Sequence, residues 1–162
     1  RAVAATRSGR VGVICTEATA TSQAYDDAFA AAPHLELHTA ACPRFVSFVE
    51  AGITGGPELL ACAEEYLKPL QQADIDTLIL GCTHYPLLTG VISYVLGDNV
   101  SLVSSAEECA KDVYAVLTRR SLTHDQPRIA GYRFLTTGSP EAFEGVGHRL
   151  MGGLVIGVEQ FV

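Results

Sequence analysis

Gly81-Cys82-Thr83-His84-Tyr85-Pro86 places a thiol, a hydroxyl and an imidazole on three consecutive residues. The stretch follows Thr77-Leu78-Ile79-Leu80, an apolar run that reads as a buried parallel strand. Open α/β sheets bind ligands outside the carboxyl ends of their strands. A thiol at that edge can exchange a proton, and an imidazole two residues away can stabilise the thiolate or move a proton itself. Thr83 and the loop N–H groups can hold an anion without carrying charge, and Gly81 lets the backbone turn sharply. The competing reading is a small buried cysteine beside a surface histidine.

The elements needed to hold such a loop are legible around it. Arg10–Cys15 reads as a strand, and a helix from about Ser22 to Ala32 follows, with Ser22 as cap and Pro33 as stop. Leu35–Ala40 is a short strand ending in the Cys42-Pro43 loop. Pro57 to Gln72 is a helix with Leu60, Ala63, Leu67 and Leu70 inward, kinked or ended by Pro69. After the Cys82 loop come a helix to about Val95, a strand at Val100–Val103 and a helix from Ser105. Ser105-x-x-Glu108 is a capping-box signal for that last helix. A polar, irregular stretch containing Pro127 runs from Arg119 to Gly131. Beyond it lie a strand at Tyr132–Thr136, a helix opened by Ser139-Pro140-Glu141 and an apolar strand at Leu154–Val158. Strands alternating with helices imply an α/β fold, a largely parallel sheet flanked by helices.

The 162 residues carry 48% hydrophobic and 18% charged side chains, enough for a real core. The formal net charge of −7 argues against nucleic-acid binding. No apolar run approaches the ~20 residues of a membrane span. Five cysteines, at 15, 42, 62, 82 and 109, lack paired or zinc-like spacing and fit a reducing cytoplasm. Cys42, Cys62 and Cys109 read as core packing. The two lysines, Lys68 and Lys111, fall within helical patterns and suit a pyridoxal Schiff base poorly, so chemistry without a cofactor is expected.

Leu80-Gly81-Cys82-Thr83-His84-Tyr85-Pro86-Leu87-Leu88 resembles the second-cysteine motif of bacterial glutamate racemases, within the aspartate/glutamate racemase family. The resemblance extends upstream through Val11–Ile14, Thr16-x-x-Thr19 and Ala41–Val46, and downstream through Ser104–Glu108 and Thr137–Phe143. Aspartate racemases usually carry Glu where this chain has His84, so His84 favours glutamate. The resemblance implies two pseudo-symmetric α/β domains in the complete protein, each giving one cysteine. The first-half loops of the Asp-Ser-Gly and Ala-Cys-Asn-Thr types are absent here. The chain therefore reads as a C-terminal portion: residues 1–100 as the second domain, with Cys82, and residues 101–162 returning to complete the first.

On this resemblance Cys82 serves one face of the substrate Cα, with His84 assisting and Glu50 polarising His84 or orienting the ammonium. The N-terminus of the following helix is expected to favour the Cys82 thiolate. Thr83, Thr16 and Thr19 are expected to bind the substrate's polar groups, against a plain turn-and-cap role for Thr16 and Thr19. Cys15 stands where the family usually has Gly or Ala. The implied activity is cofactor-independent interconversion of L- and D-glutamate, supplying D-glutamate for peptidoglycan. Two alternatives stand beside it: a non-catalytic partial chain that binds a ligand or partner, and a racemase for aspartate or another acidic amino acid. Oligomeric state stays open, a homodimer among the options.

Overall fold

The computed structural model describes every residue except Asp125, Pro127, Arg128 and Val162, so part of the irregular stretch expected from Arg119 to Gly131, Pro127 included, lies outside the described residues. Two compact units are present, Arg1–Arg120 and Ser121–Val162.

The first unit is built on four parallel strands: β1 (Arg10–Cys15), β2 (Glu36–Ala41), β3 (Thr77–Leu80) and β4 (Ser101–Ser104), in the order β2-β1-β3-β4. Chain direction across the sheet reverses between β1 and β3, where Val11 to Ile14 pair with Thr77 to Leu80. That reversal is the topological switch point of an open α/β sheet. β1 and β3 are almost wholly buried, as strands covered on both faces must be.

Alternation along β1 divides the core in two. Ile14, with Leu78 and Leu80 of β3, packs against α4 (Pro43–Glu50), α5 (Pro57–Gln72) and α6 (Thr89–Leu96), through Phe45, Val49, Leu59, Leu67, Leu70 and Ile92. Val11, Val13 and Cys15, with Ile79, face the opposite side, where Ala2 of α1 (Ala2–Ala5) and Tyr25 and Phe29 of α3 (Ala24–Phe29) cover them. Asp76, just before β3, gathers the chain that leads into β1. Its carboxylate accepts from the Thr6 hydroxyl at 2.7 Å and from the Arg7 and Ser8 N–H groups at 2.6 Å each.

Several sequence expectations change. The single helix expected over Ser22–Ala32 is two short ones, α2 (Glu17–Thr21) and α3, because Gln23 adopts a left-handed conformation between them. Pro69 does not end α5, which continues past it to Gln72. The inner stripe of α5 uses Leu59 and Cys62, and Leu60 is only half-buried. α7 (Ser105–Arg119) is capped one residue early: the Ser104 hydroxyl accepts from the Glu107 N–H. Cys109, on α7, is exposed rather than packed.

The sequence reading divides the chain near residue 100, whereas the first compact unit runs to Arg120. β4 accounts for the difference, since Ser101–Ser104 pair residue for residue with Thr77–Leu80.

The second unit is smaller. β5 (Leu135–Thr136) pairs in parallel with β6 (Glu159–Gln160), and α8 (Pro140–Met151) lies between them in the chain, capped by Ser139. The strands expected at Tyr132–Thr136 and Leu154–Val158 thus shorten to two residues each, the latter moving to 159–160. Gly147 lies against Val155, where a β-carbon would meet the Val155 side chain at 2.8 Å. Leu135, Phe143, Leu150, Met151, Ile156 and Phe161 are all exposed.

Candidate active site

The carboxyl ends of β1 and β3 are neighbours at the switch point, and all the predicted site residues lie in the first unit. Ile14 pairs with Leu80, which sets Cys15-Thr16 beside Gly81-Cys82. Gly81 is required there by contact. Its N–H donates to the Ile14 carbonyl at 2.8 Å. A β-carbon on Gly81 would stand 2.9 Å from that same carbonyl oxygen and 3.0 Å from the Tyr25 hydroxyl.

Past Gly81 the chain turns at once. The Tyr85 N–H donates to the Cys82 carbonyl, a 3-10 turn occupies Tyr85–Leu88, and α6 begins only at Thr89. The helix expected to start beside Cys82 is therefore displaced, and the tight turn takes its place. This turn brings Cys82 Sγ within 3.7 Å of His84 Nδ1. The other ring nitrogen, His84 Nε2, lies 3.4 Å from Glu50 Oε1.

Glu50 arrives from a different element. Pro43 at the first position starts α4, and Phe45 and Val49, four residues apart, bury its inner face. Glu50 then closes the last turn with its side chain about half exposed. Three residues from two parts of the chain thus form one line, thiol to imidazole to carboxylate. In such a line the carboxylate can orient the ring, and the ring can exchange a proton with the thiol.

The hydroxyls divide into two sets. Thr83 is exposed on the Cys82 loop. Thr16 caps α2 by accepting from the Thr19 N–H, and the two threonine hydroxyls lie 3.0 Å apart. Thr16 and Thr19 therefore stand across the switch point from Cys82, bonded to each other.

Burial disfavours the thiolate form of the remaining buried cysteines. Burial, then the neighbouring Cys15 and Cys62, push the Cys42 thiol well above its ordinary range. Cys15 is raised likewise, by burial first and then by Asp26 and Cys82. Among the described residues no cluster of three or more His, Cys, Asp or Glu side chains is placed to hold a metal ion.

Two supports went unread in the sequence. The Ser105 hydroxyl, freed from capping, donates to the Leu80 carbonyl at 2.7 Å, bracing the exit of β3. Tyr85 is fully buried, and its hydroxyl donates to the Cys42 carbonyl at 2.9 Å. Tyr85 was visible within the hexapeptide, but its reach across to the β2–α4 junction depends on tertiary contacts that spacing does not reveal.

Fold and site define a parallel α/β protein with a thiol–imidazole–carboxylate line at its switch point. Residues 1–113 match the family described as Asp/Glu/Hydantoin racemase, and the chain belongs to that family. It is 65% identical over 154 residues to a glutamate racemase of Parafrankia sp., covering 94% of this chain and 55% of that protein. It is 59% identical to a glutamate racemase of Mycobacterium avium, covering 98% and 59%. The crystal structure of glutamate racemase isoform RacE1 from Bacillus anthracis superposes with a TM-score of 0.83 at 37% identity, covering 99% of this chain and 60% of that one. The Francisella tularensis glutamate racemase, solved in complex with D-glutamate, gives 0.87 at 32% identity, covering 95% and 58%. The chain thus spans between half and two thirds of the length of each of these relatives.

Proposed function

We infer that this chain carries the Cys82 side of a cofactor-independent glutamate racemase, one that interconverts L- and D-glutamate and supplies D-glutamate for peptidoglycan. The observation that carries the reading is the Cys82–His84–Glu50 line at the switch point, in a member of a racemase family whose similar proteins are named glutamate racemases.

Inversion at Cα needs a base on one face and an acid on the other. Cys82 takes the proton from one face as thiolate or delivers it as thiol. His84 Nδ1 exchanges that proton or holds the thiolate, and the Glu50 carboxylate balances the imidazolium. The hydroxyls of Thr83, Thr16 and Thr19 bind the substrate's carboxylate and ammonium groups. A second thiol, for the opposite face, belongs to a part of the enzyme outside these residues. On this reading Arg1–Arg120 is the Cys82 domain, and Ser121–Val162 completes the other domain; the exposed apolar side chains of the second unit support its having a further partner.

A second reading is a partial chain that binds ligand without turning it over, favoured by the share of its relatives' length that it spans. Circular dichroism of L-glutamate incubated with the complete enzyme tests the first reading, and D-glutamate formed by the 162-residue chain alone would exclude the second. The expected result is D-glutamate from the complete enzyme. Failure of the complete enzyme to racemise glutamate, or a clear preference for aspartate, would overturn the glutamate assignment.

A further inference from the structure

Tyr85 and His84 are adjacent, yet they meet opposite ends of the same helix. The Tyr85 hydroxyl donates to the carbonyl of Cys42, the residue that caps α4. That same carbonyl accepts the Phe45 N–H, one of the first N–H groups of the helix. The Tyr85 ring meets the Phe45 ring edge-on, with centroids 5.6 Å apart and planes at 88°. His84, one residue earlier, meets Glu50 at the helix's far end, with 3.4 Å between Nε2 and Oε1.

The helix works as a lever between these contacts. Glu50 lies roughly 10 Å along the axis from the helix start, at 1.5 Å per residue. A tilt of roughly 10° about that start would carry Glu50 about 2 Å, enough to break a contact of this length. The Tyr85 bond is the buried hydrogen bond by which the Cys82 loop grips the start of α4. A phenylalanine would fill the same space, so packing alone does not account for the hydroxyl. Its bond to a carbonyl fixes where the helix begins relative to the loop.

We propose that Tyr85 is a positioning residue whose hydroxyl, by pinning the start of α4 to the Cys82 loop, sets the distance between Glu50 and His84. The proposal rests on the assignment of Cys82, His84 and Glu50 made above, and it concerns the tuning of Cys82 through them.

The test is the rate of Cys82 carbamidomethylation by iodoacetamide in the 162-residue chain, read by mass spectrometry for each cysteine. Exposed Cys109 serves as the internal standard, and buried Cys42 and Cys62 report on the integrity of the fold. Tyr85→Phe and Glu50→Gln are each expected to slow Cys82 labelling about two- to fivefold, the scale of a half-exposed ion pair. The double variant is expected to be no slower than either single one, because both act through one contact. Cys42 and Cys62 are expected to stay protected throughout. A wild-type Cys82 rate in either single variant would overturn the proposal, as would full multiplication of the two effects. Rapid labelling of Cys42 and Cys62 in Tyr85→Phe would overturn it too, since Tyr85 would then hold the fold together rather than set one distance. No substrate is turned over in this assay, so an inactive enzyme and a failed labelling result are separate outcomes.

Discussion

Cys82 Sγ and His84 Nδ1 lie 3.7 Å apart on the first turn beyond β3, and the far nitrogen of the same ring faces Glu50. Among the described residues, Cys82 is the thiol within hydrogen-bond reach of this imidazole. In a two-thiol racemase this makes the two directions of reaction unequal partners of His84.

His84→Asn in the complete enzyme is expected to lower kcat more in one direction than in the other. Asparagine keeps a polar side chain of similar reach but cannot carry the proton. The equilibrium constant fixes the ratio of kcat/KM between directions, so the asymmetry must appear in kcat and KM separately. Steady-state kinetics from both enantiomers measure it. Equal and negligible changes in kcat both ways would leave His84 a structural role.

Two glycines in the first unit should respond to alanine with opposite signs. At Gly81 a β-carbon meets the Ile14 carbonyl and the Tyr25 hydroxyl, a clash that the rigid sheet edge cannot relieve cheaply. Gly81→Ala is expected to cost about 1–3 kcal/mol. Gly90 lies in α6 with open space around it. Gly90→Ala is expected to gain about 0.5–1 kcal/mol from helix propensity and a less flexible unfolded chain. Urea midpoints followed by far-ultraviolet circular dichroism compare the two, and a shift of the same sign in both would contradict the geometry.

Much of this site was legible from residue types. The limits of β1, α5 and β3 follow from an apolar run, a proline start and a clear inner stripe, and the hexapeptide marks the loop itself. α4 was missed although Phe45, Phe48 and Val49 fall at i, i+3 and i+4, because its eight residues give barely two turns of that pattern. That helix is what delivers Glu50, so its meeting with His84 depends on packing that residue spacing does not encode. The break at Gln23 was hidden likewise, because a left-handed glutamine carries no compositional signal.

Asp76 supports the opposite edge of the sheet, and its effect should be on stability alone. Burial pushes its carboxyl up, but hydrogen bonds from Thr6, Ser8 and Arg7 outweigh it and hold the group well below the usual carboxylate range. A depressed folded-state value means the stabilisation is complete above the unfolded value, near pH ~4, and is lost as pH falls below it. Asp76→Asn is expected to cost about 1–2 kcal/mol at neutral pH. It should also flatten the fall in stability below pH ~4. Urea denaturation at several pH values checks both, and an unchanged acid limb in the variant would place the titrating group elsewhere.

Cys82→Ser in the complete enzyme bears most directly on the role given to this thiol. The fold should survive, because the side chain is half-buried and serine is nearly the same size. A hydroxyl is far too weak an acid to replace the thiol, so proton transfer at one face fails. Racemisation of glutamate in either direction is expected to fall at least ~10²-fold, the lower scale of acid–base catalysis. Slow exchange of the Cα proton for solvent deuterium, without inversion, is expected to persist through the opposite face. Near-wild-type racemisation by Cys82→Ser would contradict the assignment.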